Sequence, residues 1–538
     1  MMQRKLSEFT DSGVDFSKLS DEQKQSQLDE QIKRVNRIYA CHKYFGRKPW
    51  HPISLKIKQH SNDGDTVFDP FLGSGVTALE SIYLKRSFVG IDLNPMSKFI
   101  TEGTIDLQFD SKVFEDELRK ITAEISPLAY DLYRSNTPCK QCGRLLMLTH
   151  INNGPGFEQP YDCKFFCEWC GRHSRKAALK RKANALDMEK MNKSYPLSKW
   201  VPETEFPKKF HKDRFSYKGI TKVKQMYTPR NLFFLSELLH EIENGNYKFE
   251  RLFLLAFSNT VLHASHLKSE NARPLNTNNY WVPDDRFEEN PWMRFLDRIN
   301  LVRKSKHELI QRFGKQKPGD SNIITGSSLK LEFEDSSIDY IITDPPYGEA
   351  IQYFELSFIW NAWRRTEYDS SSEVIINPKQ NKSNDDFIGF IEQSVKECAR
   401  VLKPSGKYTL CFQNKEFKIW NGVLKAFAAN DFELIEIDIV ELHGEPLNNH
   451  WANFSPSADI YITFQLGKYT PSTEEPVDVL DIISECVKLH PNASVPDLYN
   501  HVIRRLIQEV YVCQGQAKLD KLTIKSLVSM MGEAHERN

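Results

Sequence analysis

Residues 66–80 read TVFDPFLGSGVTALE, and this stretch decides how the rest of the chain is to be read. A short β-prone run ends at Asp69 and Pro70. Gly73 and Gly75 then let the backbone bend tightly and let a ligand come close, and an apolar-periodic helix, VTALESIYL (76–84), starts at once. The next strand, SFVGID (87–92), ends in Asp92, where an acid can bind the two hydroxyls of a ribose. The third glycine of G-x-G-x-x-G is missing, which argues against a dinucleotide, whose pyrophosphate needs a close helix N-terminus. An adenosine ligand without phosphates fits better. Taken alone, the loop also reads as an ordinary strand-to-helix turn with surface acids.

Working outward, NPMSKFI opens another helix, and then the alternation of strand and helix stops from about residue 103 to 315. It resumes with NIITGSSL (322–329), SIDYIITDPPY (337–347) and a helix through ELSFIWNAW. Phe387, Ile391, Val395, Cys398 and Leu402 then recur at helical spacing. KYTLCFQ (407–413), a helix over WNGVLKAFAA, and two closing strands, FELIEIDIVEL and ADIYITFQL, complete the pattern. The expected organisation is an N-terminal helical segment (1–40), a core in two parts (41–102 and 316–467) split by an insertion (103–315), and a small helical appendix (477–538) behind the linker GKYTPSTEEP.

A chain of 538 residues is long enough for about three to four domains. Lys plus Arg equals Asp plus Glu at 72 each, so only local clusters point to a charged partner. Neither end carries an 18-residue apolar run or a secretory core, so the expectation is a soluble, cytoplasmic protein without a membrane. Ten cysteines in a chain of this length do not make a disulfide scaffold, and clustered ones read as metal ligands.

Those clusters lie in the insertion. CKQCGR (139–144) and CEWCGR (167–172) are two C-x-x-C knuckles, each with a glycine relieving the turn, separated by enough chain for a hairpin. Cys139, Cys142, Cys167 and Cys170 are therefore expected to hold one structural zinc in a zinc ribbon (139–173), with no open coordination position. Cys163 and His173 lie near enough to be spare ligands, but the set of four thiolates is complete without them. From Arg172 to Arg230 there are 17 Lys or Arg against five Asp or Glu, interleaved with aromatics, and this run reads as a phosphate-contacting surface. YTPRN (227–231) is either part of that surface or a helix entry with Pro229 in its first turn.

DPFLGSG (69–75) and DPPYG (344–348) resemble the cofactor and catalytic motifs of S-adenosylmethionine-dependent amino methyltransferases that act on nucleic-acid bases. The resemblance implies a Rossmann-like α/β methyltransferase sheet. It also implies a cofactor site at Asp69, Pro70, Phe71, Gly73, Gly75 and Asp92. Ser328 of GSSL (326–329) would contact the cofactor adenine, and KYFGRKPWHP (43–52) would line the methionine pocket or, alternatively, form a basic surface loop. Catalysis would rest on Asp344, Pro345, Pro346 and Tyr347. An exocyclic base amine is a poor nucleophile because its lone pair is delocalised into the ring. Asp344 can accept a hydrogen bond from it, the Pro345 carbonyl can take its second hydrogen, and Tyr347 can stack on a base drawn from the duplex.

The order of motifs is similar to that of alpha-type DNA amino methyltransferases, and the knuckles narrow the likeness to prokaryotic adenine-specific DNA methylases containing a zinc ribbon. The insertion precedes the GSSL strand, a departure from the usual alpha pattern. The activity implied by the resemblance is methyl transfer to the 6-amino group of adenine flipped out of double-stranded DNA. The setting would be restriction-modification or related genome defence, with restriction or defence-system subunits as partners. The alternatives are the 4-amino group of cytosine, an RNA methyltransferase acting on the guanine 2-amino group, and a catalytically silent nucleic-acid-binding subunit. RNA enzymes of this kind usually carry an upstream RNA-binding domain, and about 40 residues precede the core here.

Overall fold

The computed structural model describes residues 21–153, 160–171, 179–208, 210, 211, 213–269, 274, 280–367, 369–441, 458–467, 469, 478–491, 493, 495–512 and 526–531. In chain order its strands are β1 (Thr66–Asp69), β2 (Ser87–Asp92), β3 (Arg134–Pro138), β4 (Leu145–Asn153), β5 (Pro160–Phe166), β6 (Leu179–Arg181), β7 (Phe287–Glu289), β8 (Ser321–Thr325), β9 (Ile338–Thr343), β10 (Leu402–Cys411), β11 (Phe432–Glu441) and β12 (Ala458–Leu466).

Seven of them form one sheet in the order β11-β12-β10-β9-β1-β2-β8. The five strands from β10 to β8 are parallel, and β12 runs antiparallel between β10 and β11. Successive side chains go to opposite faces. Val67, Tyr340 and Ile342 pack under helices Trp50–His60 and Val76–Tyr83, while Phe68 and Ile341 pack under helices Asn384–Val401, Phe417–Ala429 and Val495–Val512. Covering both faces is what a parallel sheet demands, because its strands are apolar on both sides. This is a Rossmann-like sheet, and the strand order reverses at β1 and β9, whose C-terminal ends carry Asp69 and Asp344.

Between β2 and β8 the insertion builds its own five-stranded sheet, with β4 paired to β3, β5 and β7. It is also far more helical than the sequence reading expected. Helices Ser111–Tyr133, Pro229–Asn244, Glu250–His263 and Pro291–Phe313 enclose a large apolar core that includes Phe253, Trp292 and Trp363. Pro229 and Pro291 are helix entries. Thr228 and Asn290 accept hydrogen bonds from first-turn amides just ahead of Pro229 and Pro291.

Helix Pro291–Phe313 ends just before the boundary expected near residue 315 and bridges the two cores. Its Trp292 and Phe295 belong to the insertion core, and its Leu309 and Phe313 to the sheet core. The C-terminal helices, expected as an appendix, are part of the second helical layer through Leu498, Leu506 and Tyr511. Residues 1–20, nearly all of the linker, and His173 lie outside the described residues. Among the described residues no helix is long and apolar enough to cross a membrane.

Candidate active site and thiolate cluster

Asp69 closes β1 and is buried. Its Oδ1 accepts the Thr343 hydroxyl at 2.6 Å and the Phe71 amide at 3.0 Å, so the two strand tips at the reversal point are tied together. The glycine loop is tied to the next strand in the same manner. Gly73 donates its amide to Asp92 Oδ2 at 2.8 Å, and Asn94 donates to Asp92 Oδ1 at 2.9 Å. Gly75 has φ 74°, and a Cβ there would stand 2.4 Å from Thr101, so only glycine lets the chain enter helix Val76–Tyr83. Gly75 thus shapes the loop and does not line the cavity beside it.

That cavity has an empty volume of about 890 Å³. Asp69, Pro70, Phe71, Gly73, Asp92, Ser328, Asp344 and Pro346 all line it, so two motifs some 270 residues apart meet in one space. KYFGRKPWHP joins them through Tyr44 to Lys48, which removes the reading of it as a surface loop. Arg47 is fixed there by donation to Ser74 Oγ (3.0 Å), to the His42 carbonyl (2.6 Å) and to the Tyr39 carbonyl. The sequence reading had no role for Tyr353 and Glu373, which also line the cavity. Neither belongs to a motif, and only the folding of the chain after β9 brings them in.

Pro345 is buried directly behind Asp344, and Pro345 and Tyr347 do not line the cavity. The Tyr347 hydroxyl donates to Asp344 Oδ1, and its ring packs edge-on against Phe412 at 5.3 Å. Lys48 Nζ lies 4.9 Å from the centre of the same ring, 4.0 Å from Asp344 Oδ1 and 2.6 Å from Asp459. One face of the ring expected to stack on a base thus has a lysine beside it. Burial pushes the Asp344 carboxyl up to about 7, against the opposing pull of Lys48 and Tyr347. Burial likewise raises Asp69 and Asp92 to about 6 each. Three carboxyl groups with raised pKa values thus line the cavity, and a ligand that carries positive charge and hydroxyl donors would favour their ionised forms.

In the insertion, one donor atom from each of Cys139, Cys142, Cys167 and Cys170 lies within 4.8 Å of all the others. The Cys142 and Cys167 sulfurs are 3.5 Å apart, and those of Cys139 and Cys170 are 4.0 Å apart. The β4–β5 antiparallel pair brings the knuckles together as the spacing implied, and four clustered sulfurs are a donor set that fits one tetrahedral soft cation. Cys163 is buried on β5 and is not among the four.

Among the described residues, several members of the basic run are buried or paired with acids. Arg230 is buried, its guanidinium pairing with Glu288 at 2.6 and 3.0 Å, which settles YTPRN as a helix entry. Lys218 pairs with Asp284, Arg181 with Asp187, and Lys222 and Lys224 with Glu203. Five of its basic residues, Arg172, Arg175, Lys176, Lys209 and Lys212, lie outside the described residues.

The sequence pattern of the DNA methylase family matches residues 5–102 and 338–500, leaving unmatched the span that holds the insertion. The Type II methyltransferase M.MjaII of Methanocaldococcus jannaschii is 22% identical over 414 residues, 71% of this chain and 73% of that protein. The Type II methyltransferase M.HpaI of Haemophilus parainfluenzae is 32% identical over 96 residues, and the DNA adenine methyltransferase YhdJ of Escherichia coli 37% over 75. Those two matches span 30% and 25% of the relatives' own lengths. A crystal structure of a SAM-dependent methyltransferase from Methanosarcina mazei covers 31% of this chain and 77% of its own at 13% identity, with a TM-score of 0.18. The family and the relatives support a DNA methylase.

Proposed function

We propose that this chain transfers a methyl group from S-adenosylmethionine to the 6-amino group of an adenine flipped out of duplex DNA. The observation that carries the reading is that Asp344, at the tip of β9, opens into the same cavity as Gly73 and Asp92. Bound there, S-adenosylmethionine supplies an electrophilic methyl group on a sulfonium. Asp92 offers its carboxylate to ribose hydroxyls, and Ser328 flanks the adenine end.

Asp344 acts on the target. Ionised, it accepts one hydrogen of the base amine, so the nitrogen lone pair is aimed into the cavity, while Pro345, expected to take the second hydrogen on its carbonyl, is buried behind it and stiffens the strand tip. Tyr347 now donates to the same Asp344 oxygen, so its hydroxyl yields that acceptor when the amine arrives. Lys48 favours the ionised form of Asp344 throughout. The product amine is strongly acidic and gives its extra proton to water. In the insertion, the four cysteines would hold a structural zinc, fixing the ribbon beside the duplex.

The test is labelled methyl transfer to unmethylated duplex DNA and to transfer RNA, followed by digestion to nucleosides. N6-methyldeoxyadenosine is the expected product. N4-methyldeoxycytidine would move the target to cytosine, a methylated guanosine from RNA would move it to RNA, and no transfer would leave a binding subunit.

A further inference from the structure

Two buried glutamates follow β9 in the chain, and they are held differently. Glu355 is satisfied on both oxygens: the His211 amide donates to each at 2.9 Å, and the Asn377 side chain adds a bond at 3.1 Å. Glu373, 6% exposed, receives the Phe354 amide on Oε1 at 2.8 Å, while its Oε2 is buried and has no hydrogen-bond partner. An unpaired buried carboxylate oxygen costs more than the net value of an ordinary hydrogen bond, so a partner is missing from its surroundings. Glu373 also lines the cavity of the candidate active site.

The position of Glu373 says which end of a ligand it meets. It is fastened to the residue after Tyr353, and the Tyr353 ring stacks on Tyr44 at 6.1 Å. Tyr44 to Lys48, Asp92, Gly326–Ser328 and Glu373 line one cavity, and in the proposed site the first stretch meets the methionine end of the cofactor and Gly326–Ser328 its adenine. Lys382 holds the loop from behind by donating to the carbonyls of Ser370 (2.6 Å) and Glu373 (2.8 Å). The side chain is thus pinned at its backbone and at one oxygen, with the other oxygen left for a cationic donor.

We infer that Glu373 is a cofactor-binding residue whose Oε2 accepts a hydrogen bond from the α-ammonium group at the amino-acid end of the cofactor. The inference rests on the proposed S-adenosylmethionine site. An ammonium supplies both things the carboxyl lacks, a proton donor and a positive charge. Burial otherwise pushes Glu373 up to about 7, with the Phe354 amide and Lys382 only partly offsetting it.

The test compares two thioethers that differ in the amino-acid end, S-adenosylhomocysteine and 5′-methylthioadenosine, by calorimetry on the full chain. E373Q should weaken S-adenosylhomocysteine about tenfold or more and leave 5′-methylthioadenosine within about twofold. E373D keeps the charge but is one methylene short, and should show a smaller loss confined to the same ligand; it carries the comparison if E373Q does not fold. Equal losses for both ligands, or none for either, would overturn the assignment. If the wild-type chain binds neither S-adenosylmethionine nor these thioethers, the cofactor reading itself has failed, which is a different result from an insensitive E373Q.

Discussion

The seven-stranded sheet and the five-stranded sheet of the insertion both bury charge, but to opposite effect. At the tips of the parallel strands, Asp69, Asp92 and Asp344 face a shared cavity, and burial raises each of them. In the insertion two buried glutamates come with counter-ions. Arg230 and Glu288 are 1% and 0% exposed and pair with each other. Burial would raise Glu289, yet Lys268 and Arg294 hold it down to about 2. A buried ion that already has its counter-ion can do little beyond holding the fold, whereas carboxyls with raised pKa values beside a cavity mark a candidate site of chemistry.

The largest break in that contrast should come from Asp344→Ala. Transfer is expected to fall about 10³-fold or more, with the S-adenosylmethionine dissociation constant within about threefold, because this carboxylate acts on the amine. Calorimetry and single-turnover rates check both halves, and a variant retaining a tenth of the rate would remove Asp344 from its role.

Glu288→Gln attacks the other region. Breaking a buried pair on one side leaves Arg230 uncompensated, so the insertion should lose about 3–5 kcal/mol of stability while cofactor binding persists. Denaturant unfolding followed by tryptophan fluorescence reads the first, and calorimetry the second.

Cys167→Ser should unfold the ribbon locally, lowering duplex affinity about 100-fold and sparing the cofactor cavity, whose Asp69, Asp92 and Asp344 stand at strand tips of the other sheet. Duplex binding measured at two salt concentrations checks this. Intact affinity would confine the ribbon to a structural role, and metal analysis finding no zinc in the wild type would end it.

Asp92→Asn should raise the cofactor dissociation constant about tenfold with a smaller effect on the rate at saturation, since ribose hydroxyl bonds are made equally in ground and transition states. Unchanged affinity would take Asp92 out of the site.

The smallest effect is that of pH. Asp344 must be ionised to accept the amine, and its carboxyl is pushed up to about 7, so the active form is complete above that pH and lost below it. The ratio kcat/KM should therefore fall about tenfold per pH unit below pH 7 and level off above it. A profile flat down to pH 5 would show that Asp344 ionises normally.

What the sequence determined by itself was local. DPFLGSG and DPPYG each lie within one strand-to-turn unit, and each C-x-x-C knuckle within four residues, so backbone geometry over a few residues already constrains what they can do. The alternation of strand and helix around them was enough to place the sheet. The tertiary structure decided which charges are used up and which are left over. Arg230 lies in a basic run and reads as surface until Glu288, 58 residues away, buries with it. Tyr353 and Glu373 carry no motif, and they enter the cavity because the chain after β9 folds back over the strand tips. Pairing and burial depend on contacts between residues distant in sequence, and no local pattern encodes them.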